Sequence, residues 1–167
     1  MEKKLFESLQ KLVGIHRQLM DIVRAEREAL VQADIKEIQN ITAIKQGLVE
    51  EIHHVEAERV RVVGELAIAW KVSPQELTLP KIIIQVQGKN LKFAEQLRTT
   101  FNTLTVLIQR ITEQNNHNKK FLESSIAHID QMKKNVLDES ASQTNTYTQQ
   151  GQRSTPSGAS RLISKEV

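Results

Sequence analysis

The chain has 167 residues, 39% of them hydrophobic and only 4% aromatic, with a formal net charge of +3. It contains no cysteine, which excludes disulfides and thiolate metal sites and fits a cytoplasmic protein. Three prolines and six glycines leave room for few turns, so the elements must be long, with Ile, Leu and Val forming helix–helix seams. No apolar run reaches the roughly 18 residues of a membrane span. The start, Met1-Glu2-Lys3-Lys4, has no continuous apolar stretch of the kind that marks a secretory signal. Basic residues alternate with glutamates, which describes a solvated surface rather than a nucleic-acid footprint.

Leu5, Leu9, Leu12, His16, Leu19, Val23 and Leu30 recur at steps of mostly three and four, with Glu26 and Arg27 intervening, and predict a helix over about 3–31. Asp34 is placed to cap a second helix over about 34–71, whose stripe runs through Ile41, Leu48, Ile52, Val55, Val62 and Leu66. Lys45 and Arg59 interrupt that stripe. Counting back from a tight hairpin at residues 32–33 puts Lys45 level with Asp21, and Arg59 level with Glu7. Ser73-Pro74-Gln75-Glu76 reads as a capping box opening a short helical connection over about 74–86. For Lys81–Val86 strand and helix both suit the β-branched run, and the lack of a second strand favours helix. Trp70 is expected to plug the foot of the second helix. Gly14, Gly47 and Gly64 sit inside predicted helices, where close helix approach or a tolerated propensity cost explains them.

The third stripe starts near Asn90 and passes through Leu97, Phe101, Leu104, Ile108, Ile111, Asn115, Asn118, Leu122, Ile126, Ile129, Met132 and Val136, predicting a helix over about 90–139. The fold class is therefore all-α: an elongated antiparallel three-helix bundle, coiled-coil-like, over 1–139, followed by a disordered tail over 140–167 rich in Ser, Thr, Gln and Asn. At about 1.5 Å per residue the three helices are unequal, and the last is expected to pass the hairpin tip near residue 128. Ile129, Met132 and Val136 would then form an exposed seam, and exposed seams mark partner sites.

Asn115, Asn116 and Asn118 need a reason inside a helix, because the short amide competes with the backbone for hydrogen bonds. Asn115 and Asn118 are expected to face Thr42 and Lys45 as a polar layer that sets register. Replacing both with leucine is then expected to raise thermal stability. Tyr147, alone in a polar tail, and the apolar segment Arg161-Leu162-Ile163 suggest partner contacts. The histidines, His16, His53, His54, His117 and His128, show no chelating spacing, and the carboxylates lie on exposed faces. No phosphate loop, nucleophile elbow or dinucleotide fingerprint is present, and no enzymatic activity is expected.

Ile41-Thr42-Ala43-Ile44-Lys45-Gln46-Gly47-Leu48 with Val55-Glu56-Ala57-Glu58-Arg59 resembles the second helix of the FlgN family of flagellar export chaperones. Asn115-Asn116-His117-Asn118-Lys119-Lys120-Phe121-Leu122 resembles that family's Asn-x-x-Asn-Gly-x-Leu-Leu/Ile motif, with Lys119 in place of the glycine. Tyr147-Thr148-Gln149-Gln150-Gly151 resembles its Tyr-Gly-x-x-Gly element, with Thr148 in place of the first glycine, and Arg161-Leu162-Ile163-Ser164 its short ending. The resemblance spans nearly the whole chain. It implies a cytoplasmic, non-enzymatic chaperone without a cofactor, whose clients are the C-terminal amphipathic helices of hook–filament junction (hook-associated) proteins. Client contacts are expected at Asn115, Asn118, Leu122, Ile129, Met132, Val136, Leu162 and Ile163. Tyr147 and Gly151 are expected to dock on the cytoplasmic domain of the flagellar type III export gate. The protein is expected to be a monomer or weak dimer. Two other classes fit the residues: a structural coiled-coil adaptor that oligomerises through the same seam, and a basic helical nucleic-acid-binding protein using Lys119-Lys120 and Lys133-Lys134.

Overall fold

The structure, a computed structural model, describes residues 1–143 and the side chains of residues 1–138. The described residues are all-helical, in the order α1 (Glu2–Gln32), α2 (Ile35–Trp70), α3 (Leu79–Gln87) and α4 (Leu91–Gln143), with no strand among them. The tail expected to be disordered, with Tyr147, Gly151, Leu162 and Ile163, lies outside the described residues. The chain divides into two units, Met1–Leu122 and Glu123–Val167, the division falling within α4.

Each helix end has a chemical cause. Ala33 closes α1 in the left-handed conformation (φ 53°), and the Asp34 N–H returns to the Ala29 carbonyl at 3.1 Å. Without glycine this geometry costs about 1 kcal/mol, offset by the satisfied carbonyls. One residue later the Asp34 carboxylate accepts from the Glu37 N–H at 3.1 Å and starts α2. Lys71 (φ 54°) ends α2 in the same way, with the Val72 N–H on the Ala67 carbonyl.

Within the expected connection over 74–86, Ser73–Glu76 forms only a turn, the Glu76 N–H bonding the Ser73 carbonyl at 3.0 Å. The helix begins at Leu79, where Pro80 occupies a first-turn position that needs no N–H donor. Its Ile82, Ile83 and Val86 face the core. Asn90 then caps the next helix, accepting from the Phe93 N–H at 3.1 Å.

In the unit Met1–Leu122 the main core joins Leu5, Leu9 and Leu12 of α1, Val62 and Leu66 of α2, Ile82 of α3, and Leu97 and Leu104 of α4. Side chains pair across the helices. Lys11 meets Glu58 and Glu26 meets Lys45. Phe6 meets Phe93 edge-on at 5.6 Å between centroids, and Asn118 meets the Val23 carbonyl. Trp70 is half-buried against this core with the Lys89 ammonium 5.7 Å from its ring centre. The three helical glycines are not sites of close approach: a Cβ at Gly14, Gly47 or Gly64 would meet nothing within 4 Å. Each therefore carries the cost of about 1 kcal/mol relative to alanine without a packing return.

The Asp34 cap is a discrete contact at the α1–α2 connection. Asp34→Ala is expected to lower unfolding free energy by about 1 kcal/mol, read as a shifted urea midpoint with an unchanged slope.

Candidate functional site

The stripe of α1 does not stop at Val23. Its three-and-four spacing continues to Glu26, which places a carboxylate where an apolar side chain would otherwise pack. That side chain is 17% exposed and sits between α2 and α4. The Lys45 ammonium donates to both of its oxygens at 3.0 and 2.9 Å, and to the Asn115 side-chain oxygen at 2.8 Å. The Asn118 amide donates to Glu26 at 2.9 Å and to the Val23 main-chain carbonyl at 3.0 Å. Gln114, one turn earlier, donates to the Asn118 oxygen at 3.1 Å. Asn118 is 3% exposed, and its hydrogen-bonding groups are satisfied within the layer.

This arrangement corrects two expectations. Lys45 pairs with Glu26 rather than lying opposite Asp21, because helical side chains lean toward their own N-terminus. Residue counting locates Cα levels, so the pairing moves by about a turn. Asp21 instead lies near Arg24 at the surface. The Asn pair also divides its partners. Asn115 meets Lys45, whereas Asn118 reaches across to α1, and Thr42 takes no part, its hydroxyl donating to the Ile38 carbonyl.

Arg59 does not reach Glu7. It folds back along α2 onto Glu56, with Nε at 2.8 Å and Nη2 at 2.5 Å from the carboxylate. The hydrogen bond to Glu56 raises the guanidinium pKa above its ordinary value, against the opposing effect of burial. A raised pKa means that the contribution of the pair is fully present below the unfolded value and is lost only as pH rises through the folded one. The pairing therefore adds no arginine-linked pH switch in the neutral range.

Beside the layer lies a contact that the sequence reading missed. The Arg27 guanidinium carbon sits 4.0 Å from the Phe121 ring centre, and its Nη1 is buried without a hydrogen-bond partner. Arginine prefers such a face because it is weakly hydrated and planar. The sequence signal was the aromatic three residues after Asn118.

Farther along α4 the polar layer gives way to apolar surface. Leu122 is 45% exposed in the first unit. In the unit Glu123–Val167, Ile126, Ile129, Met132, Val136 and Leu137 are all more than half exposed. Their spacing of three and four puts them on one side of the helix, with Lys133 among them. Such a strip can bury itself only against another apolar surface. No group of three or more His, Cys, Asp or Glu placed to hold a metal occurs among the described residues. None of their helices is long and apolar enough to cross a membrane.

The family model described as FlgN protein matches residues 1–155, and the chain belongs to that family, the flagellar export chaperones. Among curated proteins, YvyG of Bacillus subtilis (strain 168), itself uncharacterized, is 23% identical over 127 residues, 76% of this chain and 75% of that protein. No solved structure matches.

The layer reverses the expectation for leucine at the Asn positions. Asn118→Leu removes a donor from a mostly buried carboxylate and from the Val23 carbonyl, and is expected to lower stability by about 2 kcal/mol. Adding Glu26→Leu and Lys45→Met is expected to recover part of that loss, because the charge no longer needs solvation. Urea unfolding of the single and combined variants reads the difference.

Proposed function

We propose that this chain is a cytoplasmic chaperone that binds the C-terminal amphipathic helices of hook–filament junction proteins and delivers them to the flagellar type III export gate. The observation that carries the reading is the apolar strip Ile126, Ile129, Met132 and Val136 on α4 of a protein from the export-chaperone family. An unassembled amphipathic helix has an apolar face to hide, and a helical apolar strip supplies the matching surface.

In this reading an antiparallel three-helix body over 1–139 presents the client surface, and the tail over 140–167 makes the handover. The opposed running of the α1–α2 pairs and the parallel running of the α1–α4 pairs support that body. Asn115, Asn118, Leu122, Ile129, Met132 and Val136 contribute to client binding, and Leu162 and Ile163 of the tail also contact the client. The Asn pair acts mainly by holding register, since its hydrogen bonds are turned toward Lys45, Glu26 and Val23. Tyr147 and Gly151 meet the cytoplasmic domain of the gate. A tyrosine contributes large contact area with few rotatable bonds, which suits a brief docking contact. No cofactor or bond-making step enters, and the protein works as a monomer or weak dimer.

A second reading draws on the same strip. Apolar residues at three-and-four spacing also suit self-association into a coiled-coil adaptor. Light scattering separates the two: a chaperone stays monomeric or weakly dimeric, and an adaptor assembles.

Three variants test the reading. Met132→Asp places a charge in the strip and is expected to weaken calorimetric affinity for a junction-protein C-terminal peptide at least tenfold, about 1.4 kcal/mol. Truncation after Glu139 is expected to weaken it by a similar factor, and unchanged affinity would remove Leu162 and Ile163 from the site. Tyr147→Ala is expected to leave folding and client affinity intact while reducing gate docking and client secretion. Loss of stability in that variant would assign Tyr147 to the body instead.

A further inference from the structure

The unit Met1–Leu122 holds a second apolar surface, distinct from the strip. A groove of about 700 Å³ runs between Ile52, Val60 and Gly64 of α2 and Phe101 and Ile108 of α4, with the Leu77–Pro80 segment at one end. Ile52 to Gly64 spans about 18 Å, a little over three helical turns. Val60 and Ile108 stand about half exposed in its walls. Gly64 leaves room in the wall at the expense of helix propensity, with nothing of the body packed over it.

His16 gives this groove a chemical character. Its ring is 8% exposed, and Nδ1 lies 2.7 Å from the Leu12 carbonyl. A carbonyl only accepts, so Nδ1 carries the hydrogen and Nε2 of the neutral ring is the acceptor. Nε2 has no hydrogen-bond partner among the described residues. Glu56 and Arg59, also in the lining, neutralise each other through their ion pair. The groove thus presents an unused acceptor and a carboxylate, and its one arginine is already paired. An occupant with an apolar face and a hydrogen-bond donor fits this pattern.

The α2 and α4 walls bond their backbone groups within themselves, and no strand edge occurs among the described residues. An extended peptide finds nothing to pair with there, whereas a helix needs only apolar contact. Phe101, Ile108, Asn115 and Leu122 follow one another at seven-residue spacing, one line along α4. The groove is therefore continuous with the first part of the proposed client surface.

We infer that the α2–α4 groove receives an amphipathic helix of the exported client, about three turns long, with a donor side chain of that helix set against Nε2 of His16. This rests on the client reading above and adds a site to it. Gly64→Leu in the full chain fills the groove from a position where the body leaves open space. It is expected to leave the thermal midpoint unchanged or raised while weakening calorimetric affinity for a synthetic junction-protein C-terminal peptide at least tenfold. A photo-reactive benzoylphenylalanine at Val60 is expected to cross-link to the same peptide. That measurement decides the matter if Gly64→Leu fails to fold. Wild-type affinity in a folded Gly64→Leu protein, or no cross-link at Val60, overturns the groove. If wild type binds, Met132→Asp does not, and Gly64→Leu binds as wild type, only the groove falls and the strip stands. If wild type itself binds no peptide, the client reading fails and the groove assignment falls with it.

Discussion

One carboxylate ties the body together. Glu26 of α1 is held by an ammonium from α2 and an amide from α4, and the same ammonium reaches Asn115 of α4. Apolar contacts between helices are non-directional, and a leucine seam tolerates a slip of a turn. A mostly buried charge does not, because a slip strands it away from its partners. The layer therefore contributes less to total stability than to the choice of one register among several that would bury similar area. Leu19, Val23 and Ile111 pack as a small apolar group of their own, with Asn118 bonded to the carbonyl of Val23. The larger apolar core runs along the body through Leu12, Val55 and Leu104 to Leu5, Leu66 and Leu97.

That constraint has a functional side. A protein that offers apolar surface to an unfolded client must not use that surface on itself. The α2–α4 groove is apolar, and sliding α4 against α2 would be an easy way to bury part of it. Directional bonds at residues 115 and 118 oppose that slide. In the proposed function the Asn residues thus serve client binding indirectly, by holding α4 in place, while apolar side chains on either side of them along α4 make the contact.

Much of this was legible in the sequence. Three-and-four spacing identified the long helices, and Asp34 marked the break between the first two. Lys45 and Asn115 stood out as polar residues on apolar stripes, and they do meet. Glu26, three residues after Val23 and four before Leu30, shows in the sequence only as an interruption of the stripe, and its partners on two other helices reveal its place. The register of Lys45 was missed by about a turn, because residue counting locates Cα levels while the side chains lean. Ser73-Pro74-Gln75-Glu76 and Thr78-Leu79-Pro80 both carry start signals, and the buried Ile82, Ile83 and Val86 place the helix of the connection after the second. The groove was not legible at all. Gly64 in a helix has the same spelling whether it meets a neighbour or open space.

The two proposed client contacts, strip and groove, differ in what they can recognise. The α4 strip is apolar apart from Lys133, so its selectivity is limited to size and spacing. The groove adds a directional acceptor at His16, beside a wall whose charges cancel. A chaperone with only the strip would bind many amphipathic helices with similar affinity. A chaperone with both would use the strip for area and the groove for choice, in the same way that its own body uses leucine for area and Glu26 for register.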